Sequence, residues 1–207
     1  MDELVKIGNI PVSYAAFASI YPDYKSRHNK VSKLEKSGDL IRLKRGLYVV
    51  SPKVSGKLLS TELIANHIYG PSYVSRESAL RYYGLIPEAV YMVRSMTTKR
   101  SRDFKNVLGK FEYTECPKAY FPIGIRRIVD GEVAFLMASP EKALCDLLLY
   151  TPNLNLRFQK ETAIFLEENL RFDMDAFKEM NAETFRRCME AGKKKEVINN
   201  ILKLLNS

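Results

Sequence analysis

Residues Tyr24 to Val50 read YKSRHNKVSKLEKSGDLIRLKRGLYVV, and inside this stretch the hydrophobic period changes once. The first half is helical in period: Val31 and Leu34 share one side with Tyr24, while Lys25, Ser26, Asn29, Lys33 and Lys36 fall on the other. Gly38 follows the last periodic residue and supplies the left-handed cap that ends such a helix. Leu40, Ile41 and Leu43 then begin an extended run. Lys44, Arg45 and Gly46 fill a turn, and Leu47 to Val50 form the returning strand. A helix with one apolar and one cationic side, followed at once by a short hairpin with a cationic tip, is the outline of a winged helix-turn-helix. Such a helix fits the DNA major groove, and a basic tip beside it reaches a flanking phosphate or the minor groove. The bland alternative is a solvated lysine-rich helix followed by an ordinary hairpin.

The preceding residues supply the rest of a small core. Glu3 to Ile7 form a first short helix, broken at Gly8 and Asn9. Pro11 and Ser13 open a second helix that runs through Ile20, with Tyr14, Phe17, Ala18 and Tyr21 turned inward and Pro22 ending it. The third helix starts after Asp23 or after Ser26, both competent N-caps. The candidate DNA contacts are therefore Lys25, Ser26, Arg27, Asn29, Lys30 and Lys33 on this helix, with Arg42, Lys44 and Arg45 on the hairpin. Charge agrees with this placement. The whole chain carries a formal +9, and residues 1–57 hold eleven Lys or Arg against five Asp or Glu, a surplus of six in about the first quarter.

Ser51 to Ser60, SPKVSGKLLS, reads as a linker, which places a boundary near residue 57 between a winged domain, 1–57, and a second body, 58–207. Thr61 to Tyr69 suggests a helix through Leu63, Ile64 and Ile68. Ser75 can cap another, carrying Ala79, Leu80 and Tyr83 and stopped by Gly84. Extended patterns follow at Val90 to Thr98, Lys110 to Glu115, Ile123 to Val129 and Glu132 to Met137, with Asp130-Gly131 as a hairpin signal between the last two. A four-stranded, mainly antiparallel sheet is expected. Ser139 and Pro140 then open a helix whose buried stripe is Ala143, Leu144, Leu147 and Leu148, ended by Pro152. Phe158 to Leu170, Met174 to Met180, Ala182 to Ala191 and Lys194 to Leu205 are successive helical segments, so the fold class is α+β with a helical C-terminal part.

Catalytic patterns are nearly absent. The chain has two histidines and no Gly-rich phosphate loop, G-x-S-x-G elbow, H-E-x-x-H or H-x-E with C-x-x-C arrangement. Glu112 with Glu115, or Asp130 with Glu132, would be the carboxylates of a metal-dependent nuclease, but exposed strand carboxylates explain both pairs better. His67 reads as a core or surface histidine. Cys116, Cys145 and Cys188 are odd in number and lack ligand spacing, hence reduced thiols. No metal or cofactor is expected. MDELVKIGNI lacks an apolar leader, and no segment approaches the roughly 18 apolar residues that span a bilayer, so a cytoplasmic protein without membrane contact is expected. One further basic run, TTKRSRDF, places Lys99, Arg100 and Arg102 just after a predicted strand, either as a second phosphate-binding patch or as a solvated loop.

The order of these segments resembles a known family. Arg42, Gly46 and Tyr48 in LIRLKRGLYVV match the basic Arg-x-x-x-Gly-x-Tyr wing of the AbiEi antitoxins of abortive infection systems. GPSYVSRESALRYYGLIPE, TTKRSR and ASPEKALCDLLLY resemble blocks of that family's C-terminal domain in the same order. The likeness runs from about residue 3 to about residue 150. It implies the antitoxin of a type IV toxin-antitoxin system, a non-enzyme whose winged domain is a transcriptional repressor of its own operon through inverted repeats in double-stranded DNA. It also implies a C-terminal domain that counteracts a nucleotidyltransferase-like toxin without a stable complex. A stand-alone winged-helix regulator with a ligand- or partner-sensing C-terminal domain is the alternative, and a DNA-processing enzyme the weaker one.

Overall fold

A computed structural model describes residues 2–21, 26–87 and 91–206. The first elements are α1 (Asp2–Ile7), β1 (Val12–Ser13), α2 (Tyr14–Ser19), α3 (Arg27–Lys36), β2 (Leu40–Lys44) and β3 (Leu47–Val50). β1 pairs antiparallel with β3, giving a three-stranded sheet in the order β1-β3-β2. Ser13 ends that edge strand and also caps α2, its hydroxyl accepting from the Ala16 amide at 3.1 Å. Within α3, Val31 and Leu34 are buried as their spacing requires. Its end is closed at Gly38, whose φ of +70° lets the Asp39 amide reach back to the Leu34 carbonyl at 2.9 Å. Of the two expected starts, Ser26 occupies the N-cap position, although its hydroxyl makes no capping bond. Pro22, Asp23, Tyr24 and Lys25 lie outside the described residues.

The hairpin buries both of its faces. Leu40, Tyr48 and Val50 pack with Leu4, Phe17, Val31 and Leu34 in a small core under the first three helices. Leu43, Leu47 and Val49 enter the larger core. Period-two alternation sends successive residues of β3 to opposite sides, which is why a run that is apolar throughout is needed here. A bulge between Arg42 and Lys44 sets Lys44 opposite Leu47.

Within the stretch read as a linker, part of the chain is ordered against the first helix and part, at Lys57 and Leu58, is exposed. Pro52–Ser55 form a helical turn, α4, lying against α1, with Gly56 at φ +69° closing it. Pro just inside a helix start and Gly just past its end are the residues that also suggested a linker. Ser51 and Ser55 are buried, and the Lys53 ammonium donates to the Ser37 carbonyl at 2.7 Å and pairs with Asp39 at 3.2 Å. Asn9 donates to the Leu58 carbonyl at 2.7 Å, and Lys57 pairs with Glu132.

Beyond it run α5 (Thr61–Ile68), β4 (Ser72–Val74), α6 (Arg76–Tyr82), β5 (Met92–Thr97), β6 (Arg102–Asn106), β7 (Gly109–Glu115), β8 (Ile125–Asp130), β9 (Val133–Ala138) and α7 (Pro140–Tyr150). The sheet has six strands in the order β6-β7-β5-β4-β9-β8, with β5–β7 and β4–β9 parallel and the other neighbours antiparallel. The four expected strands are present, but β4 and β6 make the sheet larger and mixed. β4 is three residues long and β6 begins inside the basic run, so neither shows an alternating pattern. The β8–β9 turn is Gly131-Glu132, one residue later than the Asp130-Gly131 signal, because Asp130 pairs with Val133. α8 (Gln159–Ile164) continues as a π-helical turn, Phe165–Asn169, and α9 (Met174–Lys178), α10 (Ala182–Ala191) and α11 (Lys195–Leu205) complete the described chain.

The expected apolar stripe of α7 is buried, but so are its polar residues Glu141, Lys142 and Asp146. The Lys142 ammonium lies 3.3 Å from the Asp146 carboxylate and donates to the Tyr120 carbonyl at 3.1 Å. Asp146 also accepts from the Tyr120 hydroxyl at 2.7 Å and from the Ser75 hydroxyl at 2.6 Å. Gly124, at φ +63°, passes so close that a Cβ there would stand 2.8 Å from Lys142 Cβ. Removing one member strands the others in the core. Asp146→Ala is therefore expected to cost about 3–5 kcal/mol, while Lys142→Met combined with Asp146→Leu costs less than either single change. Urea unfolding of Asp146→Ala, of the two single changes and of their combination, four variants in all, measures both.

Candidate nucleic-acid interface

The outward side of α3 is exposed at Ser26, Arg27, His28, Asn29, Lys33 and Lys36. Its first turn holds no acidic residue. Glu35, the carboxylate of this helix, is neutralised by Arg42 at 2.8 Å. The exposed side is therefore cationic, and the helix dipole adds partial positive charge at the Arg27 end. Lys30 is half-buried, its ammonium 5.3 Å from the Tyr21 ring centre. Lys25 lies outside the described residues.

The hairpin cations divide by role. Arg42 is a strut: it holds Glu35 of α3 and lies 5.9 Å from the ring of Tyr48 across the strand pair. Lys44 turns back onto α5 and donates to the carbonyl of Ile68, the last residue of that helix. Partial burial holds its pKa below the usual lysine value, and the nearby charges of Lys99 and Arg102 act in the same direction. The tip is also tied down, because the Tyr14 amide donates to the Gly46 carbonyl at 2.9 Å. Arg45 is the cation that stands exposed in the turn. A hairpin this short, anchored at both ends, is not a projecting arm.

Lys99 and Arg100 lie in the turn between β5 and β6, and Arg102 is the first residue of β6 rather than part of a loop. Lys99 donates to the Gly70 carbonyl and sits 5.3 Å from the Tyr69 ring centre. Arg102 lies 5.1 Å and Lys44 6.0 Å from the ring of Phe104, which itself packs 5.5 Å from Tyr69. Two groups of cations that the sequence places in separate bodies thus share one aromatic platform. Phe104 at the end of the basic run was the available signal, and no local pattern links it to Tyr69 or Lys44.

One carboxylate of each pair considered for metal chemistry is engaged by a cation of the protein. Glu112 pairs with the buried Arg76 at 2.9 Å and approaches Arg94 at 3.9 Å, and Glu132 holds Lys57. Among the described residues no group of three or more His, Cys, Asp or Glu could hold a metal ion. Arg76 went unnoticed in the sequence: it carries a φ of +54° at the first turn of α6, and its guanidinium also donates to Thr114 and Thr151. His67 is exposed, with Nδ1 2.9 Å from the Leu63 carbonyl. All three cysteines are free and buried, and burial pushes the Cys116 thiol up to about 12. No described helix is long and apolar enough to cross a membrane.

No protein-family model matches this chain, and no curated protein matches it.

The division between anchored and exposed cations has a measurable consequence. Lys44→Ala removes a bond to the end of α5 and is expected to lower stability by about 1 kcal/mol. Arg45→Ala, with no such bond, should stay within about 0.5 kcal/mol of the wild type in the same urea titration.

Proposed function

We propose that this chain is a winged helix-turn-helix DNA-binding protein that acts as an antitoxin of the AbiEi type and represses its own operon. The observation that carries the DNA-binding half is the outward side of α3, cationic and carboxylate-free at its start, with Val31 and Leu34 pinned in the core behind it. The element order α1-β1-α2-α3-β2-β3 and the β1-β3-β2 sheet support the winged-helix reading. In this reading the first turn of α3 reads bases and later residues hold phosphates. The antitoxin half is supported by the four sequence blocks that resemble that family in order, and its counterpart is a nucleotidyltransferase-like toxin.

Asn29 is the residue best suited to base readout, because its amide can pair bidentately with adenine. Asn29→Ala is expected to weaken binding to the duplex preceding the protein's own gene by about 1–3 kcal/mol and to leave a shuffled duplex nearly unaffected. Fluorescence anisotropy at one salt concentration measures both. A wild-type protein that binds the two duplexes equally would overturn sequence-specific repression. Growth rescue on co-expression with an adjacent nucleotidyltransferase gene tests the antitoxin role, and failure of the expressed protein to protect would overturn it.

A further inference from the structure

The cations of the hairpin tip and those of the β5–β6 turn lie far apart in sequence and meet in space. We propose that they form one phosphate-binding surface for duplex DNA, built by Arg45 from the tip and Arg100 and Arg102 from the turn and strand. Lys44 and Lys99 contribute field from behind. The inference rests on the DNA-binding reading above and extends the contact surface of that reading across both halves of the chain.

Tyr69 and Phe104 form a ledge on which Lys99, Arg102 and Lys44 lie within 5.3, 5.1 and 6.0 Å of a ring centre. Rings hold cations in place without neutralising them. Lys44 and Lys99 also donate to the carbonyls of Ile68 and Gly70 at the end of α5, which fixes their position and leaves their charge in place. Among the described residues no carboxylate forms a salt bridge with Lys44, Arg45, Lys99, Arg100 or Arg102. Asp103, the nearest in sequence, is consumed by Lys110 at 3.3 Å. Gathering like charges without counter-charges opposes folding, and an external polyanion relieves that repulsion. Arg45, Lys99, Arg100 and Arg102 are all exposed, so the surface is open to a long polyanion. Arg100 and Arg45 are exposed and make no side-chain bond to the described protein, leaving their guanidinium groups free to engage phosphate oxygens.

The test uses the full chain and a random-sequence duplex of about 25 base pairs, titrated by anisotropy at several KCl concentrations to obtain the slope of log affinity against log salt. Arg45→Ala should flatten the slope by about 0.9, Arg100→Ala with Arg102→Ala by about twice that, and the triple variant by about the sum. Arg100→Lys with Arg102→Lys should keep most of it. These side chains are exposed, and an unchanged thermal midpoint shows that each variant is folded. If wild type binds duplex and either alanine set leaves the slope unchanged, the shared surface is overturned, and if both do, α3 stands alone as the DNA contact. If the slope falls with single-stranded RNA but not with duplex, the proposal is also overturned, in favour of an RNA surface. If wild type binds no duplex even at low salt, the DNA-binding reading itself fails, which separates that failure from the other two.

Discussion

The buried carboxylate of Asp146 is the point on which this fold turns. It sits on a helix covered on every side and accepts from Ser75, Tyr120 and Lys142, which come from the start of α6, the loop after β7 and the preceding turn of α7. A charge in a low-dielectric interior is tolerated only when its lone pairs are met, so these groups must converge before α7 can be buried. Their convergence fixes the place of α6 beside α7. Gly124 belongs to the same constraint, since a side chain there would collide with Lys142. The cost of desolvating this network is offset by the apolar residues around it, with Leu144, Cys145, Leu148 and Leu149 fully buried on the same helix.

The hairpin of β2 and β3 joins the two cores. Tyr48 and Val50 serve the small core under α1, α2 and α3, whereas Leu47 and Val49 serve the large one with α5 and the six-stranded sheet. Adjacent residues on one strand therefore belong to different cores. A division of the chain at residue 57 runs beside this hairpin, and separating the two parts exposes Leu43, Leu47 and Val49 to water. The same packing places the hairpin tip against the end of α5, where it meets the basic β5–β6 turn.

Not every cation in a basic protein is available to a partner. Arg42, Lys44, Lys53 and Lys57 are engaged with carboxylates or carbonyls of the protein itself. Lys33 and Lys36 on α3, Arg45 at the tip and Arg100 in the turn are exposed. Formal charge alone does not separate these groups, because the difference lies in whether a nearby oxygen is within hydrogen-bonding reach.

The local signals of this sequence determined the local structure closely. Val31, Leu34 and Gly38 specified α3 and its end, Ser139-Pro140 specified the start of α7, and alternation marked the four longer strands, because each of these depends on residues within a turn or two of one another. The short strands β4 and β6, the parallel pairings and the packed turn at Pro52–Ser55 were decided by tertiary contact. So was the fate of individual site residues. Lys44 and Arg45 are adjacent and chemically alike in sequence, yet one caps α5 and the other faces solvent, since the bulge at the hairpin and the carbonyl of Ile68 are brought to Lys44 only by the fold. The meeting of Lys44 with Lys99 and Arg102 is of the same kind. Residues distant along the chain carry no shared period, and only the packing of β6 and α5 against the hairpin sets them on one face.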